Sequence, residues 1–375
     1  MVSREDIQRL IHRPESRRPI MSVFLDMAVD ANNKRRHTVF LSKEKGRFAE
    51  LDSERETHHV TEIGAAFDRV ERWIDESFDQ ANKGLAIYTE LGGDWQEALQ
   101  LPVPLQNRME IADQPIIAPL VEVVESNPRY AVFVVDREHF RMLSVRCGQL
   151  LAEERVEKEP DEPRRHAVQA GGEAAKGYQK WKAEETRQFF KDFAAEAVEF
   201  CRRHRPEHIV LAGTDENVKG FLPFLTVELQ EKVVHTAAAP IEAGAPAIVD
   251  RLAPFFAQQH ERRETRAVEV LTDRVRHNYF ATAGIHQTLE QLQEGKVETL
   301  IVARDLHRAG SQCQRCGFFL ARADSECPYC GGELRNGVDV VEAMIRLAEE
   351  QEIAVGFADP AALAAVKGAG GLLKF

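Results

Sequence analysis

The stretch that decides the local fold of one part of this chain runs from Cys313 to Gly331 and reads CQRCGFFLARADSECPYCG. It holds two Cys-x2-Cys pairs separated by ten residues, and a glycine follows each pair, which permits the tight backbone turn of a rubredoxin-type knuckle. Two disulfides or four buried thiols are the alternative. Four sulfur ligands leave no open coordination position, so the expected zinc is structural. The pattern predicts a zinc ribbon with Zn2+ bound by Cys313, Cys316, Cys327 and Cys330.

The overall composition is that of an ordinary globular protein. The chain has 375 residues, 43% of them hydrophobic and 29% charged, which is enough for two or three domains. No apolar run approaches the ~20 residues of a membrane span, and the first residues lack the apolar stretch of an export signal. We therefore expect a cytoplasmic protein with no membrane partner. Because the net charge is -12, any RNA contact must rest on local basic clusters.

Alternating apolar runs and helical patterns predict an α/β fold with three domains. Residues 1–127 hold strands at 21–26 and 85–88 and a helix around Phe67, which predict an α/β domain. Residues 128–260 begin with a hairpin pattern, followed by a polar loop at 157–180, a helix at about 184–203 and a buried strand at 209–213. They predict a middle domain with a mixed sheet. Residues 261–375 alternate helix and strand around the cysteine hairpin at 311–335, which predicts an α-β-α sandwich.

The common catalytic motifs are missing from the sequence. The glycines at 172 and 177 are spaced as in a phosphate loop, but Tyr178 and Gln179 stand where lysine and serine or threonine are needed. There is no Gly-x-Ser-x-Gly elbow and no His-Glu-x-x-His pair, so we expect no small-molecule substrate. What remains is the glycine-rich loop at 169–180, which suits a tip that enters a narrow space lined by RNA. An ordinary surface loop is the alternative.

The segments after residue 130 follow a recognisable order. Gly171-Gly172-Glu173 precedes the predicted long helix, and the strand at 209–213 comes after it. The series continues with segments 284–289 and 294–300, the inserted cysteine hairpin and the terminal residues 370–375. Together they resemble the archaeal and eukaryotic class-I peptide release factors and their relatives, which include Pelota and a set of bacterial proteins. The resemblance covers about residues 130–375.

The resemblance implies a tRNA-shaped protein that binds the ribosomal A site, with a last domain of the ribosomal-protein L30e type. In the family a Gly-Gly-Gln tip enters the peptidyl-transferase centre and helps place a water against the ester of peptidyl-tRNA. Glu173 stands in the glutamine's place; a carboxylate has no amide N–H and brings negative charge near the developing oxyanion, which disfavours this hydrolysis. The candidates for the reaction, without assigned roles, are Gly171, Gly172, Glu173 and Gln179.

Basic residues near the tip and in the first domain are the candidates for RNA binding, through phosphate contacts that salt would weaken. The large-subunit RNA would be contacted by Lys176, Lys180 and Lys182. The small subunit would be contacted by Lys34, Arg35 and Arg36. The Asn-Ile-Lys-Ser and Tyr-x-Cys-x-x-x-Phe motifs, with which the family recognises stop codons, are absent.

We therefore expect a ribosome-binding translation factor that acts independently of a stop codon, in ribosome rescue or hibernation, and that does not release the peptide. One alternative is an active peptidyl-tRNA hydrolase that uses Glu173 or Gln179. Another is a zinc-ribbon adaptor that binds a protein partner and no RNA. The sequence leaves open whether a translational GTPase is a further partner.

Overall fold

The computed structural model of the protein describes residues 2–13, 18–53, 60–157, 173–322 and 324–374. The chain forms two compact units: the first combines Met1–Ser126 with His260–Phe375, and the second is Asn127–Gln259. The division into three domains stays a prediction, because contact between the first and last segments does not say whether each folds by itself. The mixed α/β character of the chain is confirmed.

The first segment is a four-stranded antiparallel sheet, with α3 packed on one face. The order of its strands is β3-β2-β1-β4. Phe67, Val70 and Ile74 of α3 recur at helical spacing and are buried against the sheet, as their pattern predicted. The elements of this segment are α1 (Arg4–Ile11), β1 (Ile20–Asp26), α2 (His37–Ser53), α3 (Val60–Ser77), β2 (Gly84–Glu90), β3 (Gln96–Leu101), β4 (Arg108–Ala112) and α4 (Ala118–Ser126).

The second unit is built on a five-stranded sheet in the order β7-β6-β5-β8-β9. The hairpins β5–β6 and β6–β7 are antiparallel, whereas β5–β8 and β8–β9 are parallel, so the sheet is mixed, as predicted. The strands are β5 (Tyr130–Val135), β6 (His139–Arg146), β7 (Gln149–Glu157), β8 (His208–Gly213) and β9 (Val233–Ala237). The helices are α5 (Glu173–His204), α6 (Asp215–Phe221), α7 (Val227–Glu231) and the first half of α8 (Ala245–Arg276).

The last segment has its own four-stranded sheet, in the order β10-β16-β11-β15, and a separate small sheet for the cysteine hairpin. Asp339 accepts a hydrogen bond from the N–H of Val341 and so caps the start of α10. The L30e-like type stays a prediction. The elements are β10 (Ala281–Ala283), α9 (Ile285–Gln293), β11 (Val297–Ala303), β12 (Ala309–Cys313), β13 (Phe319–Leu320), β14 (Leu334–Asp339), α10 (Val340–Glu350), β15 (Ala354–Ala358) and β16 (Ala369–Leu373).

Residues 115–118, just before and at the start of α4, are hydrogen-bonded by side chains from both the first and the last segment. Glu342 of α10 accepts hydrogen bonds from the N–H groups of Ile117 and Ala118 at 2.8 and 3.1 Å. Burial raises the pKa of Glu342, and the charge of Arg346 opposes that rise. The remaining bonds are Tyr88 hydroxyl to Ile116 carbonyl, Ile116 N–H to Ser22 hydroxyl, and Arg346 to Pro115 carbonyl.

Replacement of Glu342 by alanine tests whether this contact holds the first unit together. Two N–H groups would lose their acceptor and Arg346 would lose the carboxylate that lies 3.9 Å from it, so Glu342→Ala should lower the free energy of unfolding by about 3 kcal/mol. Glu350→Ala, in the same helix but exposed, is the control and should cost less than about 0.5 kcal/mol. Denaturant unfolding measures both. Equal midpoints for the two variants would contradict the role given to Glu342.

Candidate functional site

The four hairpin cysteines come together at one point. The first pair begins at the last residue of β12, and the second pair precedes β14. All four Sγ atoms lie within 4.8 Å of one another. The distance is 3.5 Å between Cys313 and Cys330 and 3.7 Å between Cys316 and Cys327. This cluster could hold one metal ion.

Both knuckles bend in the same way. The N–H of Gly317 donates to the carbonyl of Cys313, and the N–H of Gly331 donates to that of Cys327, each at 2.9 Å. Both glycines have positive φ, 75° and 66°, a conformation that glycine adopts without strain. The glycine after each pair is therefore required by the backbone, as the sequence predicted.

The surroundings of the sulfurs suit a bound cation. The N–H groups of Cys316 and Arg315 each lie 3.4 Å from Sγ of Cys313, and the bond from Cys316 lowers the pKa of Cys313 to about 6. Such a thiol is largely thiolate at neutral pH, which is the form that binds metals. A Cβ on Gly332 would lie 3.1 Å from Sγ of Cys313 and 3.2 Å from Sγ of Cys330. A glycine here leaves the space beside the sulfurs free.

Two side chains of α9 hold the hairpin in place by hydrogen bonds. The side chain of Gln293 accepts from the N–H of Phe319 at 2.7 Å and donates to its carbonyl at 3.1 Å. The hydroxyl of Tyr329 donates to Glu290 at 3.0 Å, and its ring lies 4.2 Å from that of Phe318. The hairpin is thus fixed to the last segment at two places.

The other two cysteines are chemically different. Cys147 and Cys201 lie in the second unit and are free thiols. Burial raises the pKa of each to about 11. Neither belongs to the cluster of four sulfurs, which is what separates them from the hairpin cysteines.

The predicted tip falls at the start of α5. Gly171 and Gly172 lie outside the described residues, and α5 begins at Glu173. The predicted loop up to Lys180 and the predicted helix start near 184 are therefore wrong. Alanine, lysine and glutamine are good helix formers, and together they carry the helix through Gly177 despite its cost of about 1 kcal/mol. The structure describes only the backbone at Glu173, Lys176, Gln179, Lys180 and Lys182.

Aromatic packing fixes the body of α5 on its sheet. Phe193 is fully buried and stacks on Phe140 of β6 with 5.2 Å between ring centroids. Phe200 lies edge-on to Phe133 of β5 at 6.0 Å. Phe190 is buried beside these two phenylalanines on the same apolar face of α5. The end of α5 that carries the candidate tip is thus continuous with a rigidly packed helix.

The three basic residues before α2 have different surroundings. Arg35 donates to the carbonyl of Met27 at 2.7 Å and to that of Gln80 at 3.0 Å, so it holds the loop in place. Lys34 and Arg36 are exposed, and Arg36 pairs with Asp30 at 3.2 Å. Lys34 and Arg36 are therefore better placed than Arg35 to meet a partner.

A charged cluster beside a groove of about 950 Å³ was missed by sequence reasoning. Arg304 donates two hydrogen bonds to Glu264 of α8, at 2.9 and 2.8 Å, and one to Glu122 of α4 at 3.0 Å. Glu264 also accepts from the N–H of Asp359 at 2.9 Å. The available signal was an arginine directly after the buried strand β11. The cluster ties α4, α8 and β11 together within the first unit.

Comparison with known proteins finds similarity to peptide release factors over part of the chain. Residues 115–257 match the model of bacterial archaeo-eukaryotic release factor family 10. The peptide chain release factor subunit 1 of Pyrococcus abyssi (strain GE5 / Orsay) is 24% identical over 280 residues, which cover 68% of this chain and 66% of that protein. Over these spans the chain is similar to the archaeal class-I release factors. The same factor of Thermococcus onnurineus (strain NA1) is 23% identical, with the same coverage. The chain therefore spans slightly less than two thirds of these relatives' length.

Two solved structures match the chain at low similarity. One is an archaeal translation termination factor, with 15% identity, 100% of this chain and 99% of that chain covered, and a TM-score of 0.26. The other is Dom34 of S. cerevisiae, a translation termination-like factor, with 11% identity, 80% and 82% coverage, and a TM-score of 0.42. Across the described part of the chain, no helix combines the length and apolar character needed to cross a membrane.

Loss of one hairpin sulfur tests the metal centre. Cys327→Ser should reduce the metal content from about one ion per chain to near zero, because three sulfurs and a hydroxyl bind a soft cation much more weakly. Cys201→Ser, which removes a buried thiol of the second unit, is the control and should keep the metal. Elemental analysis of the purified variants measures both. Full metal occupancy in the Cys327 variant would contradict the assignment.

Proposed function

We propose that the protein is a ribosome-binding translation factor that acts without a stop codon, in rescue or protection of ribosomes, and does not release the peptide. The observation that carries the proposal is the match of residues 115–257 to a release-factor family model, with Gly171-Gly172-Glu173 inside the matched segment. A factor that keeps the family's tip but has a different residue at its last position would still bind the ribosome. It would lose the hydrolysis of peptidyl-tRNA. Such a protein acts in the cytoplasm.

The chemistry of Glu173 supports a tip without hydrolytic activity. A glutamine amide can donate a hydrogen bond and is neutral, whereas an ionised carboxylate only accepts. In a site from which water is largely excluded, that charge would repel the developing oxyanion, and each factor of ten in rate corresponds to about 1.4 kcal/mol. Gln179 lies six residues further along, within α5, which argues against its taking the tip position.

The cations around the tip support contact with RNA. Lys176 and Lys180 are four residues apart in α5, so they share one face of its first turns. Lys182 follows two residues later. Phosphate contacts by such lysines release counterions and supply most of the affinity for RNA in an acidic protein. In this proposal these lysines approach the large-subunit RNA, and Lys34 and Arg36 approach the small subunit.

The metal of the hairpin is proposed to be zinc. Four cysteine sulfurs within reach of one ion form the soft, closed donor set that a structural zinc prefers. Such an ion would crosslink β12 to the turn before β14 and supply no chemistry. Cys313, Cys316, Cys327 and Cys330 would hold it.

Two rival functions remain distinguishable by experiment. The relatives are named peptide chain release factors, which favours an active peptidyl-tRNA hydrolase as the second candidate. A zinc-ribbon adaptor would bind a protein and no ribosome. Whether a translational GTPase is also a partner is a separate question, which binding with and without such a GTPase would answer.

The first prediction of the proposal concerns ribosome binding. The full chain should sediment with purified bacterial ribosomes, and the affinity should fall by at least tenfold between 50 and 200 mM salt, because a few clustered cations provide it. Serum albumin, another acidic protein, serves as a control for non-specific pelleting. A chain that stays in the supernatant at both salt concentrations would support the adaptor instead.

The second prediction concerns Glu173. On ribosomes that carry peptidyl-tRNA in the P site, the wild-type protein should release little peptide, and Glu173→Gln should raise the release rate by at least tenfold with little change in affinity. Glu173→Ala is the control that removes the charge without providing the amide, and it should remain slow. Rapid release by the wild type, with loss of release in Glu173→Ala, would favour the hydrolase.

A further inference from the structure

The four sulfurs of the cysteine hairpin can form two disulfides in three ways. One way uses two close pairs, Cys313 with Cys330 at 3.5 Å and Cys316 with Cys327 at 3.7 Å. The second way joins the two cysteines within each knuckle, and the third joins Cys313 to Cys327 and Cys316 to Cys330. A disulfide has about 2 Å between its sulfurs, so each close pair must approach by about 1.5 Å. Rotation of the cysteine side chains between staggered positions covers such a distance.

The burial of the sulfurs separates the first way from the third. Cys316 is exposed and Cys330 is half-buried, so a small oxidant can reach both. Cys313 and Cys327 are buried, with 1% and 3% exposure. Each close pair therefore combines an accessible sulfur that meets the oxidant with a buried sulfur that completes the disulfide. The third way would join two buried sulfurs, neither of which an oxidant reaches directly.

The hairpin has a small core of its own, in which sulfurs take part. Leu320 and Leu334 are buried together with Cys313 and Cys327, and Phe318 packs against this cluster. Such a core buries too little apolar surface to hold a segment of this kind closed by itself. A crosslink between the two knuckles must therefore supply stability that the core lacks.

The need for a crosslink separates the first way from the second. Each knuckle is already closed by a backbone hydrogen bond, from the N–H of Gly317 to the carbonyl of Cys313 and from the N–H of Gly331 to that of Cys327. A disulfide within a knuckle would restrain a turn that is already held and would leave the two knuckles unconnected. The close pairs join one knuckle to the other, as a bound ion would. Disulfides between them can therefore hold the hairpin closed without the ion.

We propose that the cysteine hairpin is a reversible redox switch, in which a hydroperoxide forms the disulfides Cys313–Cys330 and Cys316–Cys327, expels the metal ion and leaves the hairpin closed. The hairpin then has two closed states, one with the ion and one without it. The inference goes beyond the proposed function and does not depend on ribosome binding. It takes from the proposed function only the zinc of the hairpin.

The reaction balances with hydrogen peroxide as the oxidant. The thiolate of Cys316 attacks one peroxide oxygen and the O–O bond breaks. The sulfur becomes a sulfenic acid, and the other oxygen leaves as hydroxide and takes up a proton to form water. The thiolate of Cys327 then attacks this sulfur, the S–S bond forms, and the displaced hydroxide becomes water with a second proton. Cys330 and Cys313 react in the same way with a second peroxide. Because metals bind the thiolate form of cysteine, the oxidised site no longer holds the cation.

The first test counts thiols and metal in the full zinc-loaded chain treated with a small molar excess of hydrogen peroxide. The chain has six free thiols, and oxidation of the hairpin should leave two, Cys147 and Cys201. About one ion per chain should appear in solution, as measured with a metal-sensitive dye. A dithiol together with zinc should restore both counts. Six thiols after treatment, or sulfurs oxidised beyond recovery by the dithiol, would overturn the proposal.

Peptide mapping without reduction identifies the pairing. Trypsin cuts between the first and second hairpin cysteines at Arg315 and between the second and third at Arg322. The first two cysteines thus lie in separate peptides and the last two in a third peptide. Disulfides of the close pairs should join all three peptides into one species, which disulfides within the knuckles cannot do. Chymotrypsin cleavage after Tyr329 then separates the last two cysteines and assigns each bond. Either of the other two pairings would contradict the proposal.

Hydrogen exchange tests whether the oxidised hairpin stays closed. The N–H of Gln314, between the cysteines of the first knuckle, donates to the carbonyl of Glu333 beyond the second knuckle at 3.0 Å. This amide should be protected equally in the zinc-loaded and the oxidised chain. In the reduced chain stripped of zinc by a chelator, its protection should fall by about tenfold or more. Loss of protection in the oxidised chain would show that the disulfides do not replace the ion.

Two matched double variants, each with two hairpin sulfurs left, isolate the effect of the pairing. Cys316→Ser/Cys327→Ser keeps the close pair Cys313 and Cys330, whereas Cys313→Ser/Cys316→Ser keeps only the two cysteines of the second knuckle. Oxidation should restore the protection of the hairpin in the first variant and leave it low in the second. Equal protection in the two oxidised variants would refute the role of the close pairs.

The inference and the proposed function fail separately. A full chain that carries no metal before oxidation overturns both the switch and the assignment of zinc, and it leaves ribosome binding untouched. A chain that switches as described and does not sediment with ribosomes supports this inference and overturns the proposed function.

Discussion

The structure depends on the way in which residues 115–118 are held. This segment has a carbonyl or N–H bonded at each of its four residues, by side chains of β1, β2 and α10. Glu342 and Arg346 of α10 lie more than two hundred residues away along the chain, so these bonds join the first segment to the last. Because a buried carboxylate is costly unless it is bonded, Glu342 also selects one geometry for the start of α4. The first unit is therefore one compact body. The chain leaves it after Ser126 to form the second unit and re-enters it at His260.

Three features stabilise the first unit: the Arg304 cluster, the contacts of Glu342, and the contacts between the cysteine hairpin and α9. The residues proposed to bind RNA lie elsewhere, in the loop before α2 and at the start of α5.

Local patterns in the sequence predicted much of the secondary structure and the cysteine cluster. The buried strands, the amphipathic helices α3 and α5, the cap at Asp339 and the four clustered cysteines follow from spacing and residue type within short windows. The start of α5 was misplaced because Gly177 was given more weight than the good helix formers around it. The contacts of Glu342 and Arg304 could not be predicted, because no local pattern tells which distant backbone a buried charge will meet.

The central claim is that this chain binds the ribosome with the start of α5 facing the large-subunit RNA. Directed hydroxyl-radical probing tests it most directly, with an iron chelate tethered to a cysteine introduced by Glu173→Cys. The wild-type protein treated with the same chelate reveals any label on its six native cysteines, and the chelate at Lys219→Cys provides the reference position. We expect the chelate at position 173 to cut large-subunit RNA around the peptidyl-transferase centre. The chelate at position 219 should give a different pattern of cuts. Identical patterns from the two positions, or no cuts in large-subunit RNA from position 173, would contradict it.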